Sequence, residues 1–189
     1  NDLIECWLVR DWHACEGFIW KADLPPTTRR KMLIQLFRKA ALRFPDEVLS
    51  RLRELIQTGA LAQNALNSDL GGQRSPRLLY YGCNEITRNL ARGWARQNDV
   101  EALNKIQTLP LKWQPDAFEA FSDSFTTSKA GLAMLDFIVA YDARRQPTEA
   151  EKKEISQGLK WWNWEVARLV IQRLAYLEPR EAEAWLEAD

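Results

Sequence analysis

Five prolines of this 189-residue chain recur at a near-regular interval: Pro45, Pro76, Pro110, Pro147 and Pro179, with gaps of 31, 34, 37 and 32 residues. Between them the sequence runs at helical spacing almost without a break. Proline is best tolerated in the first turn of a helix, where its missing N–H has no intrahelical partner to lose. A helix-starting proline about every 34 residues predicts antiparallel helix pairs stacked in series. The expected fold is therefore all-α: a right-handed α-solenoid, with an irregular multi-helix bundle as the alternative. Residues 1–189 read as a single helical domain, with an N-terminal helix over 1–24 and about four to five helix-pair units over 25–189.

The individual helices follow from the apolar spacing. Leu3, Ile4, Trp7, Leu8, Trp12, Cys15 and Ile19 predict one helix across 2–20, stopped by Pro25-Pro26. Leu33, Leu36, Phe37, Ala40, Ala41 and Phe44 share a face of the next, over 29–44. Pro45 opens a third, with Asp46 and Glu47 in its first turn, where the helix dipole favours acids. The stretch from Asn67 to Gln73 is a loop, after which Ser75-Pro76 opens the longest helix, to about Gln97. Leu79, Ile86, Leu90 and Trp94 form its apolar stripe, so Trp94 is a core residue. Gly82 and Gly93 share a flank that a neighbouring helix can approach closely. Asn98-Asp99 is a tight turn, Val100, Leu103 and Ile106 lie on the short helix after it, and later helices cover about 115–124, 128–143, 148–157, 158–177 and 180–188. No run alternates with period two, so no sheet is expected.

The segment Asn89-Leu-Ala-Arg-Gly-Trp-Ala-Arg-Gln-Asn-Asp-Val-Glu-Ala-Leu103 resembles the inner turn of a tetratricopeptide repeat. Leu90, Ala91 and Trp94 suit the first helix of that motif, Asn98-Asp99 its turn, and Ala102 the start of its second helix, one position early. Arg43-Phe-Pro-Asp-Glu-Val-Leu49 and Leu177-Glu-Pro-Arg-Glu-Ala-Glu-Ala-Trp185 resemble the junction between such repeats. The likeness is spread over about 30–188, with only one recognisable inner turn. It implies a concave groove that binds a protein or peptide.

Charge is balanced but unevenly placed. Residues 1–98 hold 15 Lys and Arg against 10 Asp and Glu, net +5, and residues 99–189 are net −5. The acidic half argues against general polyanion binding by the whole chain. No apolar run is long enough to span a membrane, so no membrane partner is expected. Three cysteines, Cys6, Cys15 and Cys83, read as free thiols of a reducing compartment, and with no signal peptide visible a cytoplasmic location is expected.

Chemistry is sparse. The one histidine, His13, sits in Asp11-x-His13-x-Cys15, and residues two apart on a helix diverge. That string supplies too few convergent ligands for zinc. Gly-rich phosphate loops and metalloprotease or serine-hydrolase signatures are missing from the sequence. We therefore expect no catalytic residues, no metal site, no cofactor and no enzyme activity. Asp136 and Asp142 lie among apolar residues, with helix-end roles expected.

The best local constellation is a ridge opposite the Trp94 stripe. Arg88, Arg92 and Arg96 step by four, with Tyr81 behind them and Asn84 alongside. A planar guanidinium fork suits carboxylate or phosphate, whereas a simple solvated face is the plain alternative. Arg29, Arg30, Lys31, Arg38, Lys39 and Arg43 could extend the surface. Among nine tryptophans, Trp161 falls on the polar side of its helix beside Arg168, the position of an interface anchor. The expected partner-binding residues are Tyr81, Asn84, Arg88, Arg92, Arg96, Trp161 and Arg168. The expected function is a non-catalytic scaffold or adaptor for a protein or peptide, with an acidic one as an option. The alternatives are a nucleic-acid-binding domain using the basic half, and a helical domain of a larger enzyme or assembly.

Overall fold

The computed structural model describes residues 11–60, 85–110, 113–144 and 158–187; the side chains of 141–144 and 158–165 are not described. The fold is all-α: nine helices and no strand among the described residues. In chain order they are α1 (Trp12–Lys21), α2 (Pro26–Ala40), α3 (Pro45–Gln57), α4 (Glu85–Gln97), α5 (Asp99–Gln107), α6 (Gln114–Ser122), α7 (Ser128–Arg144), α8 (Gly158–Leu177) and α9 (Pro179–Glu187). They divide into two compact units, Asn1–Gly93 and Trp94–Asp189, with the boundary inside α4.

Local chemistry sets most boundaries. Pro26, Pro45, Pro115 and Pro179 occupy first turns. Of the five evenly spaced prolines, Pro45 and Pro179 open described helices, and Pro76 and Pro147 lie outside the described residues. Pro110 lies in the link between α5 and α6, where its carbonyl accepts a hydrogen bond from the Trp113 N–H at 2.8 Å; residues 111–112, which follow it, lie outside the described residues. α6 is started by Gln114-Pro115. Within the span 2–20 expected as one helix, Asp11 is extended and its carboxylate accepts from the Ala14 N–H at 3.0 Å, so a helix starts at Trp12 with Asp11 as N-cap; residues 1–10 lie outside the described residues. The Asp11-His13-Cys15 string is thus a helix start. Asn98 caps α5 in the same way, accepting from the Glu101 N–H at 3.1 Å.

In the first unit α2 packs against α1 and α3. Leu33, Leu36, Phe37, Ala40, Val48, Leu52 and Ile19 are buried there, and Trp12 meets Phe37 edge-on with centroids 6.1 Å apart. Polar ties hold α1 to α3. Buried Glu16 accepts from Arg51 Nε and Nη2 at 2.8 Å each, and from Trp20 Nε1 at 2.9 Å. Arg51 also pairs with Glu54 at 2.6 Å, so its guanidinium stays charged at any working pH. Trp12 Nε1 donates to Glu47, which lies 3.1 Å from His13 Nε2.

In the second unit α5 packs on α6 and α7, and α8 packs on α6, α7 and α9. Leu103, Ile106, Phe118, Phe121, Phe125, Met134, Leu135, Val166, Val170 and Leu174 form its core. On α8 Val166, Val170 and Leu174 are buried, with Arg168 and Gln172 exposed. At Gly131 an added Cβ would fall 2.6 Å from Leu174 Cδ2, so glycine lets α7 lie close to α8. Arg173 of α8 donates to the Phe125 carbonyl at 2.6 Å and stands over the Phe125 ring at 5.4 Å.

Candidate ligand-binding site

α4 divides as its wheel predicts. Ile86, Leu90, Ala91 and Trp94 are buried, and Trp94 is 1% exposed. Across the helix Glu85, Arg88 and Arg92 are half-buried and Arg96 is exposed. The ridge is therefore graded from half-covered to open along the helix.

Two buried polar residues on α4, Thr87 and Asn89, were not expected from the periodicity. Asn89 organises the site. Its Nδ2 donates to the Arg38 backbone carbonyl at 2.8 Å, near the end of α2. Its Oδ1 accepts from Arg92 Nη1 at 3.1 Å. The amide thus joins α2 to α4 and fixes one arm of the Arg92 guanidinium. The Arg38 side chain lies 3.9 Å from Glu85, a long pair between groups about equally exposed, which contributes little. Arg38, Arg88 and Arg92 are thus gathered on α2 and α4 of the first unit with Glu85 as a nearby carboxylate.

Close approach of these helices depends on Gly93. A Cβ there would run into the carbonyl oxygen of Ala41 and lie 3.2 Å from that of Leu42. These are backbone atoms and cannot rotate aside. The flank at Gly93 thus admits a close approach, made by the turn that follows α2 rather than by a helix as expected; Gly82 lies outside the described residues. Gly93→Ala should destabilise by about 1–3 kcal/mol through overpacking, offset by less than about 1 kcal/mol of improved helix propensity. Urea denaturation measures the net loss.

The remaining expected site residues are dispersed. Tyr81 and Asn84 lie outside the described residues. Trp161 is on α8, with its side chain outside the description. Arg168 is in the second unit, exposed, and donates to Gln172 at 3.0 Å one turn along its own helix.

The other polar constellations hold the fold together. Asp99, the first residue of α5, is buried. Its Oδ2 accepts from the backbone N–H of Thr126 and of Thr127 at 2.9 Å each, and from their hydroxyls at 3.2 and 3.0 Å. It anchors the segment leading into α7. Burial by itself would raise the Asp99 pKa, but these four hydrogen bonds outweigh it and hold the carboxyl below the ordinary aspartate range. Asp136, by contrast, is exposed in mid-helix rather than at a helix end. Cys15 is a buried free thiol whose pKa burial pushes up, which keeps it protonated and unreactive. Among the described residues no group of three or more His, Cys, Asp and Glu side chains could hold a metal ion, and no helix is long and apolar enough to cross a membrane.

The chain matches no protein-family model, no curated protein and no solved structure. Its function has to be argued from its own side chains.

Proposed function

We propose that the chain is a non-catalytic helical-repeat scaffold that binds an acidic protein segment through the cationic face of α2 and α4. The observation that carries this reading is the Asn89 bridge. A buried amide tied to a backbone carbonyl positions Arg92, and Arg88 lies one turn away on the same ridge. Tethering one nitrogen leaves the other guanidinium donors of Arg92 for a carboxylate, with less side-chain freedom to lose on binding. A solenoid architecture fits the order of packing in the second unit, where α5 to α8 each pack on helices one or two places along the described series. Within this reading the tetratricopeptide likeness of 89–103 supplies the mode of binding, a groove-lining helix that presents Arg and Asn.

The test is titration of the full chain with poly-L-glutamate, followed by tryptophan fluorescence or calorimetry. Arg88→Glu with Arg92→Glu should weaken binding at least about tenfold, or about 1.4 kcal/mol. Charge reversal adds repulsion as well as removing donors. Circular dichroism should show the helical content retained, and the loss of the Asn89–Arg92 bond should cost about 0.5–1.5 kcal/mol of stability. Unchanged affinity in the double variant overturns the reading.

Nucleic acid is the second reading, favoured by the absence of any acid among the five cations of α2. It requires a steep fall in affinity for single-stranded DNA as salt rises, with a slope that shrinks when α2 cations are removed.

A further inference from the structure

We propose that the acidic segment recognised by the first unit is the α8–α9 end of a second copy of this chain, so that copies associate head to tail. This rests on the reading of the α2–α4 face as a binder of acidic segments.

The two surfaces are matched in charge. α2 spans 15 residues and carries Arg29, Arg30, Lys31, Arg38 and Lys39 with no acid. Arg30 and Lys31 are exposed, and Arg38 and Lys39 half-buried. At the other end of the chain Glu178, Glu181, Glu183 and Glu187 are all exposed, with Arg180 as the opposing charge on α9.

Large apolar side chains also stand in the open at the acidic end and on the helix next to α2. Tyr176, three residues before α9 opens at Pro179, is 85% exposed, and Leu186 on α9 is 56% exposed. On α9 Ala182 is buried, so most of that helix faces outward. α1, which packs on α2, carries Phe18 at 53% exposure. Apolar side chains among charges are the composition of a docking surface, where burial supplies affinity and charge supplies orientation.

A second copy fits these surfaces for a reason specific to this chain. Its formal net charge is zero, so two copies feel no net repulsion at neutral pH. The halves are nevertheless net +5 and net −5. Opposite net charge on the two sequence halves favours pairing of the basic half of one copy with the acidic half of another over like-with-like contact. The contact is heterologous, with different surfaces on each side, and produces a ring or an open chain according to the rotation between copies.

Sedimentation velocity of the full chain, at increasing protein concentration in about 50 mM and about 500 mM salt, reads the outcome, since exposed charge pairs are screened at the higher value. Mean mass should rise above that of one chain with concentration in low salt and return towards it in high salt. A reciprocal charge exchange tests which surfaces meet. Arg30→Glu with Lys31→Glu should abolish association, and so should Glu181→Lys with Glu183→Lys. Mixing the two variants should restore it, because each then offers what the other lacks. Failure of the mixture to associate overturns the pairing even if each variant alone is a monomer, and circular dichroism of each variant confirms that it is folded. A single-chain mass in every condition overturns the inference. If poly-L-glutamate still binds in an Arg88- and Arg92-dependent way, only the second-copy assignment has failed. If it does not bind, the reading beneath it has failed as well.

Discussion

Trp94→Ala is expected to destabilise the protein by about 3–5 kcal/mol, among the largest losses any single core truncation produces. The indole is 1% exposed and continues the buried line of Ile86 and Leu90 along α4. Alanine at this site loses the transfer free energy of a large ring and leaves a cavity that a packed helix cannot collapse to fill. Total stabilities of domains are only about 5–15 kcal/mol, so the loss is a large fraction of the whole. Urea unfolding monitored by far-ultraviolet circular dichroism checks it. A variant with an unchanged midpoint would place Trp94 outside the core.

The second large effect is expected at Asp99. Asp99→Ala removes the acceptor for two backbone N–H groups and two hydroxyls at once, and should cost about 2–3 kcal/mol. Asp99→Asn keeps the shape and loses the charge, and should cost less. The sign of the pH dependence follows from the direction of the pKa. The folded carboxyl titrates below the unfolded one, so its stabilisation is fully present above the ordinary aspartate pKa, near 3.8. It is lost as pH falls through the lower folded value. The difference in unfolding free energy between the native protein and Asp99→Asn should therefore be larger at pH 7 than at pH 3. A difference that does not change with pH would mean that Asp99 ionisation does not matter to folding.

Much of the architecture was legible because it is written locally. Helices at 26–40, 45–57, 85–97, 99–107, 114–122, 128–144, 158–177 and 179–187 follow from apolar spacing and from prolines in first turns, and both operate within a few residues. The interval between prolines was a weaker guide than their local position. Pro26 and Pro115 open helices although they fall outside the regular series. What periodicity does not carry is polar pairing across sequence distance. Glu16 finds Arg51 35 residues away, and Asp99 finds Thr126 and Thr127 27 and 28 residues away. An acid that caps a distant helix has the same spelling as an acid in solvent. For that reason Asp136 looked the more enclosed carboxylate, and Asp99 looked like half of a turn. At the candidate site the arginine ridge was legible from its step of four. The residue that organises it, Asn89, is one helix position from Arg88, and only the approach of the Arg38 carbonyl reveals its part.

The Asn89 bridge has a consequence for how this surface can evolve. A free arginine samples many rotamers and surrenders up to about 2 kcal/mol of conformational entropy when a partner fixes it. Arg92 has already surrendered part of that freedom during folding, through its bond to Asn89, whose own bond to the Arg38 carbonyl spans 51 residues of sequence. On the proposed reading, affinity at this face is coupled to the joint between α2 and α4. Substitutions that loosen that joint, and never touch a ligand, return the arginine to its full repertoire of conformations. Recognition can then drift by changes in the interior while every charge on the outside stays the same.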